Sequence, residues 1–256
     1  MSTNASLNRT TSSAGHHKRQ IELLVPEQTV RRFYLAVFAM DALVILVTAL
    51  SDVGAGVARF GVVLWFDLKL EGNIAVWYSS ALLSMTSFAT LAVAANPPAG
   101  LLHPYRHRAV WILAAAFFAG LSVDETAQLH ETVGRAFTNR VGHIRWLTGG
   151  NKPTFAWVFV FLPAIVLFVF VIHAAAQSLR GHRKSRNLTL AAVGCWIGVI
   201  AAEVVQSQLA RFSRERSIQG VIEEGLEILG TTFFFVAFVE YLLNARFRRP
   251  EHAVSG

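Results

Sequence analysis

The chain has 256 residues, of which 54% are hydrophobic and only 15% are charged. This composition excludes an ordinary soluble basic protein and is typical of a polytopic membrane protein. The formal net charge of +7 does not indicate a nucleic-acid partner, because the Lys and Arg residues lie in short clusters between apolar runs, where membrane topology places them. The single cysteine excludes an internal disulfide and a cysteine-rich metal site.

Six apolar runs predict an all-α bundle of six transmembrane helices, because about 20 helical residues cross about 30 Å of hydrocarbon. Residues 1–30 are rich in Ser, Thr and Asn and then basic, which predicts a disordered tail. We predict a transmembrane domain over 31–246 and a C-terminal tail over 247–256. Asn96-Pro97-Pro98 is expected to end the second helix. The predicted spans cover about residues 33–50, 74–95, 109–131, 155–176, 188–209 and 220–244.

The distribution of basic residues predicts the orientation of the bundle. With six spans, the side that carries both termini holds 14 Lys and Arg residues, and the other side holds 9. The positive-inside rule therefore places both termini in the cytosol. We expect the protein to lie in the bacterial inner (plasma) membrane, with the lipid bilayer as its surroundings.

Three of the predicted spans carry acidic residues near the ends that this topology brings to the same, outer depth. None of these three spans contains a Lys or Arg at that depth. An Asp at the centre of a span costs about 2.5–3.5 kcal/mol on insertion scales, so several acids together indicate a function. Asn73, at the start of the second span, is a further polar residue at this depth. The acids are Asp124, Glu125, Glu131, Glu203, Glu223, Glu224 and Glu227.

Helical periodicity predicts which of these side chains share a face. Asp124, Gln128 and Glu131 fall on one face of the third span, because their spacing is i, i+4, i+7. His130 falls on roughly the opposite side and joins them only if the helix end is distorted. The third span is therefore predicted as one helix that carries a row of polar groups at its outer end.

Acids gathered at one depth need a partner that neutralises their charge. The sequence is compatible with three kinds of partner. These are a divalent cation, shared protons, or arginines at the outer surface such as Arg135 and Arg211. Carboxylates and an imidazole on facing helices are ligands that Zn, Fe and Mn use. His130-Glu131 begins like the zinc-protease motif H-E-x-x-H, but Gly134 stands at its last position, so that motif is absent.

One part of the pattern resembles a known set of sequences. Ser122-Val123-Asp124-Glu125 through His130-Glu131, with Glu71-Gly72-Asn73 before it and an E-E-x-x-E motif (residues 223–227) after it, is similar to bacterial polytopic membrane proteins of unknown function. The resemblance extends from the first span to the sixth. It implies that these residues form a unit, and it implies no activity.

Three hypotheses for the function follow. The first is a membrane protein with an acidic divalent-metal site, acting as a metal-dependent enzyme on a lipid or lipid-soluble substrate. In it Glu125 or His130 carries protons, and Gln128, Glu224 and Asn73 are further polar contacts. The second is a proton- or cation-coupled transporter or channel, and the third is an accessory subunit without catalysis. The metal ligands in the first hypothesis are Asp124, Glu131, Glu203, Glu223 and Glu227.

Two further features have a structural interpretation. Asp41 is alone in the first span, and it either hydrogen-bonds within the bundle or serves a proton path. Gly194 and Gly198 form a small-xxx-small pattern, which favours close packing of the fifth span within the bundle. Trp77, Tyr78, Ser79 and Ser80 are interpreted as interface and packing residues.

Overall fold

The computed structural model describes residues 26–53, 73–98, 101–141, 156–209 and 213–247. All regular secondary structure in these ranges is helical, which confirms the all-α prediction. The helices are α1 (Glu27–Val53), α2 (Ile74–Ala95), α3 (Pro104–Ala127), α4 (Leu129–Val141), α5 (Ala156–Ser178), α6 (Arg183–Leu209) and α7 (Ser213–Phe247).

Six of these helices are long and apolar enough to cross a membrane, as predicted, and the chain is a multi-pass integral membrane protein. Their ends follow local chemistry. Asn73 caps α2 by accepting a hydrogen bond from the Val76 N–H at 2.9 Å, and α2 ends at Ala95, directly before the predicted Asn96-Pro97-Pro98 stop. Pro104 begins α3, where its missing N–H has no intrahelical partner to lose.

Two differences from the predicted boundaries concern the tail and the third span. Helix α1 begins at Glu27, inside the predicted tail, whereas residues 1–25 and 248–256 lie outside the described part. The third span was predicted as one helix to Glu131, and this is wrong. Helix α3 ends at Ala127, and a separate helix, α4, runs from Leu129 to Val141, between the predicted third and fourth spans.

Helices α2 and α7 form the centre of the bundle. About half of the apolar window of each is buried, 50% and 56%, against 17–28% for the other four spans. Helix α7 packs against α1, α2 and α6, and α2 also packs against α3. The apolar side chains of α1 and α5 that remain exposed, such as Leu43 and Phe170, therefore face the lipid.

An aromatic core fills the half of the bundle that lies away from residues 223–227. Phe234, Phe238 and Tyr241 follow one face of α7 at i, i+4, i+7. Trp111 of α3 is fully buried between them, 5.1 Å from the Phe238 ring and 5.8 Å from the Tyr241 ring. These ring contacts join α3 to α7.

Serines fix the register of α3 against α2. The Ser122 hydroxyl lies 2.9 Å from the Ser80 hydroxyl and 2.8 Å from that of Ser84, and Ser87 donates to the Ala115 carbonyl at 2.8 Å. Small polar residues at i, i+4, i+7 allow the two backbones to approach closely. Ser122 stands two residues before Asp124, so these contacts also position the acidic end of α3.

The close packing of α6 was predicted correctly in part. A Cβ atom at Gly198 would lie 3.0 Å from Leu226 of α7, whereas one at Gly194 would meet nothing within 4 Å. The closest approach involves Gly230 of α7, where a Cβ would lie 2.4 Å from Cδ1 of Trp196. The small residue that matters most here is therefore on the partner helix.

Candidate functional site

A single left-handed residue separates α3 from α4. Gln128 has φ 49° and ψ 43°, and it is the one non-glycine residue with positive φ in the described ranges. Its N–H donates to the Asp124 carbonyl at 2.7 Å, which closes the last turn of α3. This conformation costs an L-residue about 1–2 kcal/mol, so neighbouring contacts must hold it. Because the helix breaks here, residues 124, 128 and 131 do not lie on one continuous helix, which the predicted shared face required.

The break brings Asp124 and His130 together. The Asp124 carboxylate accepts the backbone N–H of His130 at 2.8 Å through Oδ1, and its Oδ2 lies 2.7 Å from His130 Nδ1. Asp124 thereby caps the first turn of α4 and orients the imidazole. Both side chains are partly exposed at the protein surface, by 21% for Asp124 and 35% for His130. The helix break at Gln128 is the distortion that was expected to be necessary for His130 to join the acidic residues.

Carboxylates of α3 and α7 interact at this end of the bundle. Glu125 interacts electrostatically with Glu224, Asp124 and His130, and it faces the Ser79 hydroxyl of α2. Glu227 interacts with Glu125 and Glu224 and also with Glu223. One oxygen of Glu224, Oε2, is buried and has no hydrogen-bond partner.

The predicted metal ligands divide into two groups. Asp124, Glu223 and Glu227 are described and interact with one another through Glu227. The side chains of Glu131 and Glu203 lie outside the described residues, as do those of Arg135 and Arg211. Within the described part of the chain, no three His, Cys, Asp or Glu side chains are arranged to hold a metal ion. The divalent-metal site stays a prediction.

Two polar residues near this end hold helices in place. Asn73 is buried and acts as the cap of α2, which explains its position at the predicted depth. Gln219 was not among the predicted site residues. Its side-chain amide donates to the Ala202 carbonyl, which ties the start of the α7 span to the end of α6. Its sequence signal is a lone amide at the entrance of an apolar run.

A second acidic position lies deeper in the bundle. Asp41 is 0% exposed, and the Tyr78 hydroxyl donates to its Oδ1 at 2.5 Å. Tyr78 also packs against the apolar core, as predicted, and the hydrogen-bonding alternative for Asp41 is confirmed. A signal was available, since a lone Asp in an apolar span needs a donor. The sequence could not say which helix supplies it.

A third acidic position lies at the opposite end. The Glu240 carboxylate of α7 lies 3.0 Å from the Lys184 ammonium and accepts the Tyr34 hydroxyl at 3.2 Å. It borders a cavity of about 340 Å³, whose other lining residues include His182 and Asn244. Acidic side chains thus occur at three levels of α1 and α7.

Comparison with known proteins gives a family but no activity. A family model described as "Domain of unknown function (DUF8692)" matches residues 35–241, from α1 to near the end of α7. The chain belongs to the DUF8692 family. No curated protein and no solved structure matches this DUF8692 protein. The resemblance to bacterial proteins that share the motif around Asp124 stays a prediction.

Proposed function

We propose that this DUF8692 protein is a proton- or cation-coupled transport protein of the bacterial inner membrane. In this proposal Glu125, Glu224 and Glu227 bind the cation, and the Asp124–His130 pair exchanges protons with solvent. The observation that carries the proposal is the electrostatic contact of Glu125 with Glu224 and with His130 at the end of an apolar bundle. Ionisable groups inside a membrane usually mark ion or proton pathways.

In this proposal the Asp124–His130 pair and the glutamates have different roles, because they differ in exposure. Histidine is the residue whose ordinary side chain changes charge near neutral pH, and His130 is partly exposed. One oxygen of Glu224, Oε2, is buried and makes no hydrogen bond. A charge gained at His130 stabilises a negative Glu125, and a charge lost there favours binding of a proton or cation by the glutamates. This coupling supports exchange between the solvent and a site inside the bundle.

A metal-dependent membrane enzyme is the second candidate. One observation favours it, because a carboxylate that holds one ring nitrogen of a histidine is the usual support of a metal-bound imidazole, as Asp124 holds Nδ1 of His130. The site would then use Zn, Fe or Mn, with Glu131 and Glu203 as further ligands, and would act on a lipid or lipid-soluble substrate. Elemental analysis of the purified protein separates this candidate from the first.

Flux measurements test the proposal. The full chain is reconstituted in liposomes with a pH-sensitive dye inside, and a potassium gradient with valinomycin imposes a membrane potential. We expect flux above that of empty liposomes, and loss of most of this flux in Glu125→Gln and Glu227→Gln, because intramembrane ionisable groups carry the proton or cation. Glu27→Gln, which makes the same chemical change at an exposed residue at the start of α1, should keep the wild-type rate.

Each other result assigns the protein differently. Stoichiometric Zn, Fe or Mn without flux would favour the enzyme. Flux of a metal or alkali cation at constant pH would favour a cation over a proton as the transported species. If the wild-type protein shows neither flux nor bound metal, and Glu125→Gln folds normally, the accessory subunit is favoured.

A further inference from the structure

Asp41 is buried in the middle of the first span with one oxygen unsatisfied. Tyr78 donates to Oδ1, whereas Oδ2 has no hydrogen-bond partner. The Thr232 hydroxyl of α7 faces the carboxyl group but does not reach it with ordinary hydrogen-bond geometry. Asp41 stands ten residues before Ser51, which corresponds to about 15 Å along the helix axis. The carboxyl group therefore lies deep in the hydrocarbon region.

The groups around Asp41 do not neutralise a charge. In the part of the chain that the structure describes, α2 presents Tyr78 and α7 presents Thr232, and both are hydroxyl groups. A charged Asp at this depth costs about 2.5–3.5 kcal/mol on insertion scales. A proton on Oδ2 removes that charge and leaves the hydrogen bond from Tyr78 to Oδ1 intact. The unsatisfied oxygen is thus the position at which a proton fits.

Asp41 stands between the two other acidic levels. Thr232, which faces it, is five residues after Glu227 and eight before Glu240 on α7, or about 8 Å and 12 Å along the axis. On α1, Tyr34 and Thr48 are each seven residues from Asp41, and two turns of helix place them on the same face. Tyr34 hydrogen-bonds to Glu240 at the far end.

Buried hydroxyl groups lie at the level of Asp41 and between it and the acidic end of α3 and α7, whereas residues 233–239 of α7, toward Glu240, are all apolar. The side chains of Thr48, Ser79, Thr231 and Thr232 are buried and have no hydrogen bond of ordinary geometry. Ser79 is adjacent to Tyr78 and faces Glu125. A hydroxyl can donate and accept at once, so it can pass a proton between neighbours. Other buried hydroxyls of α2, such as Thr86 and Thr90, donate to carbonyls of their own helix.

We propose that Asp41, held by Tyr78, is a proton-binding site inside the membrane, which exchanges protons with the acidic end of α3 and α7 during transport. The Asp41 carboxylate accepts a proton at Oδ2 from that end and releases it again, and Tyr78 stays neutral throughout. No covalent bond other than the O–H bonds forms or breaks. This inference rests on the proposed transport function and adds to it a proton-binding position on the route.

Asp41→Asn in the reconstituted full chain tests the route. Asparagine keeps an oxygen that accepts the Tyr78 hydroxyl but cannot bind a proton at the other position. We expect proton flux to fall about 100-fold, the size typical for loss of a proton-transfer group. Thr232→Val should also lower the flux, whereas Thr90→Val, at a threonine bonded within its own helix, should leave it unchanged.

Infrared difference spectroscopy gives a readout besides flux. A protonated carboxyl band that shifts on a pH jump should be present in the wild-type protein and absent in Asp41→Asn. If the wild-type protein shows flux and folded Asp41→Asn shows the same rate, this inference is overturned, whereas the proposed transport function is not. Absence of flux in the wild-type protein would instead remove the transport function itself. If Asp41→Asn does not fold, Tyr78→Phe and Thr232→Val are measured in its place, because both keep the Asp41 carboxyl group. An unchanged infrared band and an unchanged flux in both variants would overturn the proposed route.

Discussion

The Tyr78 hydroxyl donates a hydrogen bond of 2.5 Å to Asp41 Oδ1, across 37 residues of sequence and between two helices. This bond joins α1 to α2 inside the bundle, where Asp41 is fully buried. Helix α1 packs mainly on α7, and its contact with α2 is small. The bond therefore contributes to the position of α1 as well as to the proposed proton route.

Tyr78→Phe should lower the free energy of unfolding by about 1–3 kcal/mol, because it removes the donor and leaves a buried carboxyl oxygen unsatisfied. The measurement is unfolding of the purified protein in mixed detergent, followed by circular dichroism. Tyr105→Phe makes the same change at a side chain that is 83% exposed and should have little effect. Equal stabilities of the two variants would contradict the structural importance of the bond.

Gly230→Ala should destabilise the contact of α6 and α7. A Cβ would lie 2.4 Å from Trp196 Cδ1 and 3.1 Å from Cys195 Cβ, and overpacking of this kind typically costs about 1–3 kcal/mol. Gly194→Ala is the matched control, because a Cβ there meets nothing within 4 Å. Its better helix propensity should raise stability by as much as about 1 kcal/mol. A stable Gly230→Ala protein would show that Trp196 can move aside.

Gln128→Gly should raise or preserve stability, because glycine adopts the left-handed conformation without the cost of about 1–2 kcal/mol that other residues carry. Ala174→Gly, inside the regular helix α5, should instead lower stability by about 1 kcal/mol. Unfolding in detergent checks both variants. If Gln128→Gly were the more damaging of the two, the break between α3 and α4 would not be a feature of the folded protein in detergent.

Ser122→Leu should separate α2 from α3 and lower both stability and flux. The Ser122 hydroxyl contacts Ser80 and Ser84, and a large side chain cannot fit between helices that approach through serines. Ser122→Ala removes only the hydroxyl and should cost about 0.6 kcal/mol, the average for hydrogen bonds between membrane helices. Ser178→Ala, at a serine bonded to its own helix, is the control. Wild-type flux in Ser122→Leu would contradict the role of this contact in placing Glu125.

The sequence by itself determined the number of spans and the depth of the acids. Each span is an apolar run long enough to cross the bilayer, and that property is local. Relative depth follows from the span count alone, so Glu125 and Glu227 could be assigned to the same end of the bundle without knowledge of any contact. The electrostatic interaction of these two residues in the structure agrees with that assignment.

Only the tertiary structure decided which polar groups meet. No glycine or proline marks the break at Gln128, because the contacts of Asp124 with the next turn hold a conformation that a glutamine would not adopt alone. Likewise nothing near Asp41 in sequence points to Tyr78, since a hydrogen bond between helices depends on how they pack. Hydropathy acts within each helix, whereas the partner of a buried carboxyl group is set by the rotation and register of helices far apart in the chain.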